Sequence, residues 1–268
     1  MSILKSLFQN RDLFIQFLLK NLRCRHRGSF LGMAWLVANP LLMLCLYVFA
    51  FGVIFGGRFT NTGDETTLDY ALGVFVGLNL LGLISGVIAS TPRLIIDHSN
   101  FVKKVVFPTE ILPAALVGAL ICDLVIGFLL SLVGIIFLGP GLTIACIYLP
   151  ILFGPIFLMA LGLALFFSSV GVFVRDLGQL GSFLSLCLLY SSGVFYSAEK
   201  AQEVVPTFWT ILKWNPLLQL IDNFRSVLLL GQSPQWEWLG YCWIVGALIF
   251  ISGAWVFQKV RFRFADIL

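Results

Sequence analysis

The chain has 268 residues, of which 59% are hydrophobic and 11% charged, and its formal net charge is +4. A soluble domain has about 25% charged residues, so this composition excludes an ordinary soluble enzyme and indicates a protein that lies in a lipid bilayer. Membrane orientation alone accounts for the basic residues, so the positive charge does not indicate a nucleic-acid partner. The predicted fold class is an all-α membrane protein.

The N-terminal residues 3–23 predict an amphipathic helix, because polar side chains recur every three or four residues opposite Leu7 and Phe14. A basic cluster at 23–27 follows. We therefore expect segment 1–28 to lie along the cytoplasmic lipid interface. The alternative is a solvated basic tail that only sets the orientation of the chain.

Six apolar runs are long enough to predict helices that cross a bilayer, which requires about 20 residues. The turn Gly139-Pro140-Gly141 separates the third run from the fourth, and the fourth contains Pro150 and Pro155, which predicts one overlong helix that is tilted or kinked. The predicted spans, within a transmembrane domain at 29–258, are residues 30–57, 70–92, 111–138, 142–174, 177–198 and 238–258.

Lys and Arg are concentrated in segments that share one face under this topology: the N-terminal segment, the loop after span two, the turn at Arg175 and the tail at 259–268. The loop after span one is instead acidic, with Asp64, Glu65 and Asp69. Because cytoplasmic loops are enriched in Lys and Arg, both termini are predicted to be cytoplasmic.

Aromatic residues recur in span one at a spacing of four, at Tyr47, Phe51, Phe55 and Phe59. On an α-helix this spacing places the rings along one face, and Phe183 and Tyr190 likewise share a face of span five. Aromatic rings stack on the apolar faces of sugars, so these residues are candidates for lining a carbohydrate path. Packing against protein or lipid is the alternative.

Two further features lie within the spans. Span two contains small residues at a spacing of four that permits close helix approach, namely Gly73, Gly77, Gly82 and Gly86. Asp123 lies near the middle of span three, where a carboxylate is costly unless it faces the bundle interior or water. Two roles remain open for Asp123: contact with a polar cargo, or a hydrogen bond to a neighbouring helix.

The loop at 91–109, between spans two and three, mixes charged and apolar residues, and Pro108 and Pro113 mark its end. A connecting loop does not require this mixture, so the segment predicts contact with a cytoplasmic partner protein. The candidate contact residues are Arg93, Asp97, His98, Phe101, Lys103 and Lys104.

The segment at 196–232, after span five, is too apolar for a flexible linker. Ser197 predicts the N-cap of a short helix that ends before Pro206, and Asn215-Pro216 predicts the start of a second helix that ends before Gly231. We expect two short re-entrant helices that form an outer gate. The candidate gate residues are Phe195, Tyr196, Trp209, Trp214, Asp222 and Arg225.

No catalytic or metal-binding residue is predicted. His26 and His98 lie in basic segments without clustered carboxylates, the six cysteines lack a C-x-x-C spacing, and the sequence has no Walker A glycine loop. An intramembrane enzyme would require a polar catalytic cluster, and a secondary transporter would have internal repeats with several ionisable groups at the midplane. Both classes remain distant alternatives.

Several segments together resemble the membrane subunit of ABC-2 type polysaccharide exporters: RGSFLGMAWLVANPLL, FVKKVVFPTEILP, VRDLGQL with YSSGVFYS, and NPLLQLIDNFRSVLL. The resemblance covers essentially the whole chain. It is nearest to the O-antigen exporters, and the capsule and teichoic-acid exporters are near relatives.

The resemblance implies a channel-forming permease in the bacterial inner membrane that exports a polyprenyl-pyrophosphate-linked polysaccharide. It implies a homodimer with two ATPase subunits that bind ATP and Mg, so that this chain has no enzymatic activity and no cofactor of its own. It further implies that the loop at 91–108 contacts the ATPase, that spans one and five line the channel among membrane lipid, and that residues 198–205 and 216–230 form the outer gate.

Overall fold

The structure is a computed structural model that describes residues 3–25, 30, 32–54, 59, 66–104 and 107–267. Within these residues all regular secondary structure is helical, as predicted. Helices with the length and hydropathy needed to cross a membrane are Thr67–Ser90, Ile111–Leu138, Ile144–Gly171 and Trp236–Arg263. Two shorter apolar helices, Trp35–Ala50 and Leu177–Ser191, lie within predicted spans one and five.

In chain order the described α-helices are α1 (Ile3–Gln9), α2 (Arg11–Arg25), α3 (Trp35–Tyr47), α4 (Thr67–Ser90), α5 (Leu94–Asp97), α6 (Ser99–Lys104), α7 (Ile111–Leu138), α8 (Leu149–Gly171), α9 (Leu177–Ser191), α10 (Ala198–Val204), α11 (Pro206–Leu212), α12 (Pro216–Leu228), α13 (Trp236–Val260) and α14 (Phe264–Ile267). Short 3-10 helices occupy Gly32–Ala34, Ile144–Tyr148 and Arg261–Arg263, and a π-helix occupies Val48–Ile54.

Helix α4 is the centre of the bundle and packs against α3, α7, α8, α9 and α12. A capping box starts it: Thr66 Oγ1 accepts a hydrogen bond from the backbone N–H of Asp69, whose carboxylate accepts one from the backbone N–H of Thr66. The helix is apolar around most of its circumference, which is the pattern of a helix surrounded by other helices. Leu72, Leu80 and Leu83 are accordingly buried.

Helices α8 and α13 pack with their backbones in close approach. A Cβ atom at Gly162 would lie 2.5 Å from the carbonyl oxygen of Ile249, and one at Gly246 would lie 2.9 Å from that of Pro155. Small residues at a helix interface permit this distance, so the glycines determine how closely this pair packs.

The structure corrects two predicted helix boundaries. The N-terminal helix is divided into α1 and α2 by a turn at Asn10, whose Nδ2 donates to the carbonyl oxygen of Ser6 at 2.9 Å. The fourth apolar run is helical over the 28 residues Ile144–Gly171, but it begins as a 3-10 segment and becomes α-helical only at α8. Pro150 lies in the first turn of α8, where a missing backbone N–H is tolerated.

Helix α2 packs against α7, with Phe17 and Leu22 buried. A Cβ atom at Gly118 of α7 would lie 2.8 Å from Cδ1 of Leu18. These contacts favour a packed helix over the solvated-tail alternative.

Candidate functional site

The loop between α4 and α7 forms α5 and α6, and it is anchored by apolar contacts. Leu94 and Ile95 are buried, and Ile95 belongs to a cluster with Leu165 and Val172 of the α8 end and with two aromatic residues of the C-terminal segment, Phe257 and Phe264. The cluster around Ile95 therefore joins this loop to α8, α13 and α14.

An aromatic cluster joins the same loop to α2. The ring of Phe17 packs edge-to-face on Phe101 and Phe107, with centroid distances of 5.4 and 5.5 Å. Lys20 Nζ lies 3.2 Å from His98 Nε2, and His98 Nδ1 lies 2.9 Å from the carbonyl oxygen of Leu94. Because an ammonium group only donates, this geometry assigns the ring proton of His98 to Nδ1 and makes Nε2 the acceptor.

The predicted contact residues lie on the outer side of this loop. Arg93 and Asp97 are exposed, Phe101 is 41% exposed, and His98 is half-buried beneath the aromatic cluster. Arg93 also borders the start of α9, since a Cβ atom at Gly178 would lie 3.0 Å from its Nε. The side chains of Lys103 and Lys104 lie outside the described residues.

A second constellation surrounds Arg225 of α12, which is buried. Its Nε donates to the carbonyl oxygen of Gly73 at 3.3 Å, Nη1 donates to that of Tyr196 at 3.0 Å, and Nη2 donates to that of Val194. Its guanidinium carbon lies 4.0 Å from the ring centroid of Phe59. One side chain thus connects α12 with α4, with the turn after α9 and with the segment before α4.

The glycines of α4 make room for this arrangement. A Cβ atom at Gly73 would lie 2.6 Å from Cε2 of Phe59, and one at Gly77 would lie 3.2 Å from Cγ2 of Ile221 and 3.3 Å from Nη2 of Arg225. The predicted close approach therefore brings α4 against α12, a short helix, at Gly73 and Gly77. At Gly86 it brings α4 against Leu120 of α7.

Asp222 lies one turn before Arg225 on α12, near the backbone N–H of Ala198. Burial raises the pKa of Asp222, and the nearby positive charge of Arg225 opposes that effect. Two predicted gate residues, Asp222 and Arg225, thus lie together, and Asp222 connects α12 to the start of α10.

The caps predicted after span five are present. Ser197 Oγ accepts from the backbone N–H of Lys200 at 3.2 Å and donates to the carbonyl oxygen of Phe59 at 3.1 Å. Asn215 Oδ1 accepts from the N–H of Leu217 at 3.0 Å. The segment nevertheless contains three helices where two were predicted, because Pro206 starts α11.

The aromatic gate candidates do not lie in one cluster. Phe195 and Tyr196 lie beside the Arg225 constellation, where Tyr70 Oη donates to the carbonyl oxygen of Phe195 at 3.0 Å. Trp209 lies on α11. Trp214 is 54% exposed and packs edge-to-face on Tyr241, at a centroid distance of 5.5 Å.

The aromatic stripe predicted along one helical face of span one does not extend to Phe59. Helix α3 ends at Tyr47, the π-helix that follows ends at Ile54, and Phe59 lies at a bend outside the helices that the structure describes. Phe59 is buried against Tyr70 and Arg225 and does not line an open path. The side chain of Phe51 and the whole of Phe55 lie outside the described residues.

Phe183 and Tyr190 share an exposed face of α9, as predicted from their spacing, and they are 62% and 66% exposed. Tyr47 instead lines a cleft of about 720 Å³ between α3 and α9, with α4 behind it. Asp123 also lines this cleft, as do other polar residues that the sequence patterns did not single out: Asn39, Asn79, Ser85, Ser182 and Ser185. Their signal in the sequence is isolated polar residues within apolar runs.

Comparison with known proteins places the chain in a family. The family model described as "ABC-2 type transporter" matches residues 12–229. The chain is 26% identical over 262 residues to an O-antigen export system permease protein RfbA from Klebsiella pneumoniae, covering 96% of this chain and 95% of that protein. It is 25% identical over 264 residues to an RfbA of the same description from Myxococcus xanthus, covering 98% of both chains.

The family match spans most of the chain, from α2 to the end of α12, and thus includes the aromatic cluster at α5 and α6, the cleft and the Arg225 constellation. The apolar helices agree with the multi-pass membrane protein that such a transport component requires. The chain belongs to the ABC-2 type transporter family.

Proposed function

We propose that the chain is the permease subunit of an exporter that moves a polyprenyl-pyrophosphate-linked polysaccharide, the O-antigen of lipopolysaccharide, outward across the bacterial inner membrane. The support is that both relatives described above are named as O-antigen export permeases and are matched over nearly their whole length. Energy comes from ATP hydrolysis in a separate subunit, and this chain supplies the path.

In the proposed topology α3 with its π-helix, α4, α7, α8, α9 and α13 are the six spans, and both termini are cytoplasmic. Helices α10, α11 and α12 dip into the outer leaflet as a re-entrant gate. The Arg225 constellation supports a gate of this kind, because it connects α12 with both α4 and the end of α9. A movement of α9 would therefore be passed to the gate.

The observation that carries the proposal is the double attachment of α5 and α6. Phe101 contacts Phe17 of α2 on one side, and Ile95 lies in one buried cluster with Phe257 and Phe264 on the other, while Asp97 remains exposed. A rigidly held segment with an exposed charged and aromatic surface suits a contact through which a nucleotide-binding subunit transmits force. Two such subunits would serve a homodimer of this chain.

The test is co-purification of this chain with its ATPase subunit in mild detergent. Replacing Lys103 and Lys104 by Glu should reduce the bound ATPase at least about ten-fold, since each reversal replaces an attraction by a repulsion. Lys213→Glu is the matched control, because Lys213 lies beside Trp214 in the proposed outer segment and should leave the ATPase bound. Full ATPase binding by the double variant would contradict the proposal.

A further inference from the structure

A buried ion pair joins the end of the loop at 91–109 to the end of α13. Glu110 directly precedes α7, and its side chain is only 5% exposed. Its Oε1 lies 3.6 Å from Nη1 of Arg261, which directly follows α13 and whose side chain is 25% exposed. A carboxylate is almost never buried in this way unless it is paired, so the contact with Arg261 accounts for the position of Glu110.

Segment 261–267, which begins with Arg261, contacts the same loop at a second place. Phe264 of this segment is buried and lies in one cluster with Ile95 of α5 and Phe257 of α13. The rings of Phe257 and Phe264 pack edge-to-face at a centroid distance of 5.7 Å, and α14 packs against α6. The segment is therefore held by charge at the start of α7 and by apolar packing at α5 and α6.

The ion pair connects α7 with the closely packed helices α8 and α13. Glu110 continues into α7, because its carbonyl oxygen accepts a hydrogen bond from the backbone N–H of Ala114 at 3.4 Å. On the other side, a Cβ atom at Gly253 of α13 would overlap the carbonyl oxygen of Gly162 of α8. Closely packed elements transmit displacement because their interface is hardly compressible. A displacement of Arg261 along the axis of α13 would therefore be shared by α8.

An ion pair at this depth resists separation more than an apolar contact does. Moving the guanidinium away would leave the buried carboxylate of Glu110 without a counter-charge, which is costly. The guanidinium carbon of Arg261 also lies 4.8 Å from the ring centroid of Phe262, a contact that favours its present position.

We propose that Glu110 and Arg261 are positioning residues that carry a displacement of the loop at 91–109 to α13 and α8 as well as to α7. The inference rests on the proposed function, which supplies the ATPase subunit that displaces the loop. It goes beyond that function because it assigns the transmission of the displacement to a particular ion pair and to segment 261–267. One loop would then control three spans directly.

The test follows hydrogen–deuterium exchange in the chain purified with its ATPase subunit in lipid nanodiscs, with and without Mg-ATP. In the wild type, Mg-ATP should change the exchange of residues 94–104 and of segment 261–267 together. In Arg261→Gln and in Glu110→Gln residues 94–104 should still respond, but the response of segment 261–267 should fall at least about three-fold, because the charge attraction is lost. Exchanging the two charges, Glu110→Arg with Arg261→Glu, should restore at least about half of that response. A purely structural role predicts no such recovery.

The matched control is Arg263→Gln, which removes an exposed cation from the same segment and should retain the wild-type response. If a neutral variant does not fold, Arg261→Lys takes its place. Lysine keeps the charge but not the planar fork of donors, so the response of segment 261–267 should be about half of that in Arg263→Lys.

A full response of segment 261–267 in both neutral variants, or in Arg261→Lys where those do not fold, would overturn the inference. No recovery in the charge-exchanged variant would also overturn it, as would a wild type in which only residues 94–104 respond. If residues 94–104 do not respond either, the proposed ATPase contact fails and the inference fails with it. Glycan transfer by the wild-type complex in liposomes reports on the proposed function separately, so the two failures are distinguishable.

Discussion

The guanidinium carbon of Arg225 lies 4.0 Å from the ring centroid of Phe59, residues that are far apart in sequence and both buried. A cation over an aromatic face contributes about 2 kcal/mol when it is desolvated. The same guanidinium donates to the carbonyl oxygens of Gly73, Val194 and Tyr196. This one side chain therefore connects α12 with α4, with Phe59 and with the turn after α9.

Arg225→Met should destabilise the chain by about 2–4 kcal/mol, because buried carbonyl oxygens lose their donors and the ring of Phe59 loses its cation. Thermal unfolding of the detergent-solubilised complex measures the change. Arg225→Lys keeps the charge but not the planar fork of donors, so its unfolding temperature should fall between those of the wild type and Arg225→Met. Equal stability of Arg225→Met and the wild type would show that α12 is held by apolar packing alone.

Gly73→Ala tests the close approach of α4 and α12. Its Cβ would lie 2.6 Å from Cε2 of Phe59, so the ring must move and the cation–aromatic contact weakens. We expect a loss of about 1–3 kcal/mol, typical of an overpacked contact. Gly240→Ala is the control: a Cβ atom there meets nothing within 4 Å, so helix propensity should make this variant neutral or slightly stabilised. The same thermal unfolding measurement compares the two, and similar effects of both would argue against a tight α4–α12 contact.

Phe17→Ala should loosen α5 and α6, because Phe17 provides the ring against which both Phe101 and Phe107 pack. Removal of this buried ring should cost roughly 2–4 kcal/mol. Hydrogen–deuterium exchange across 94–104 should therefore accelerate. Phe8→Ala, which removes an 82% exposed ring from α1, should leave the exchange unchanged. Unaltered protection in Phe17→Ala would mean that the contacts to α8 and α13 are sufficient to hold the loop.

The stability of the folded chain should depend on pH through Asp222. Burial raises the pKa of Asp222 in the folded chain, so the folded state favours the protonated acid. Its contribution to stability is complete below the ordinary pKa of an aspartate, about 4, and is lost as the pH rises through the raised value. The unfolding temperature of the wild type relative to Asp222→Asn should therefore be higher near pH 4 than at pH 7. A difference that is constant with pH, or larger at pH 7, would contradict this assignment.

Local signals in the sequence predicted local structure well. The caps at Ser197 and Asn215 are confirmed because a capping side chain and its N–H partner are two or three residues apart. The helical face shared by Phe183 and Tyr190 is confirmed because residues seven apart lie two turns apart on the same side of an α-helix. Gly73 and Gly77 predicted close packing, but not that their partner is a short helix, since a spacing of small residues carries no information on which helix approaches.

Other features depend on contacts that no single segment encodes. The aromatic stripe does not extend to Phe59, because the described helical residues of span one end at Ile54 and Phe59 packs at a bend against Tyr70 and Arg225, which belong to other segments. The polar lining of the cleft, apart from Asp123, was not predicted, because α3, α4 and α9 each contribute only one or two polar residues to it. Such a site becomes visible only after the helices are packed together.

In the proposed function, this chain forms a glycan path that is driven by an ATPase bound at α5 and α6. The most direct measurement reconstitutes the chain and its ATPase subunit in liposomes and follows the transfer of a lipid-linked O-antigen from one side to the other. Transfer should require ATP and both subunits, and should be lost when Lys103 and Lys104 are both replaced by Glu. Transfer without ATP or without the ATPase subunit would contradict the account.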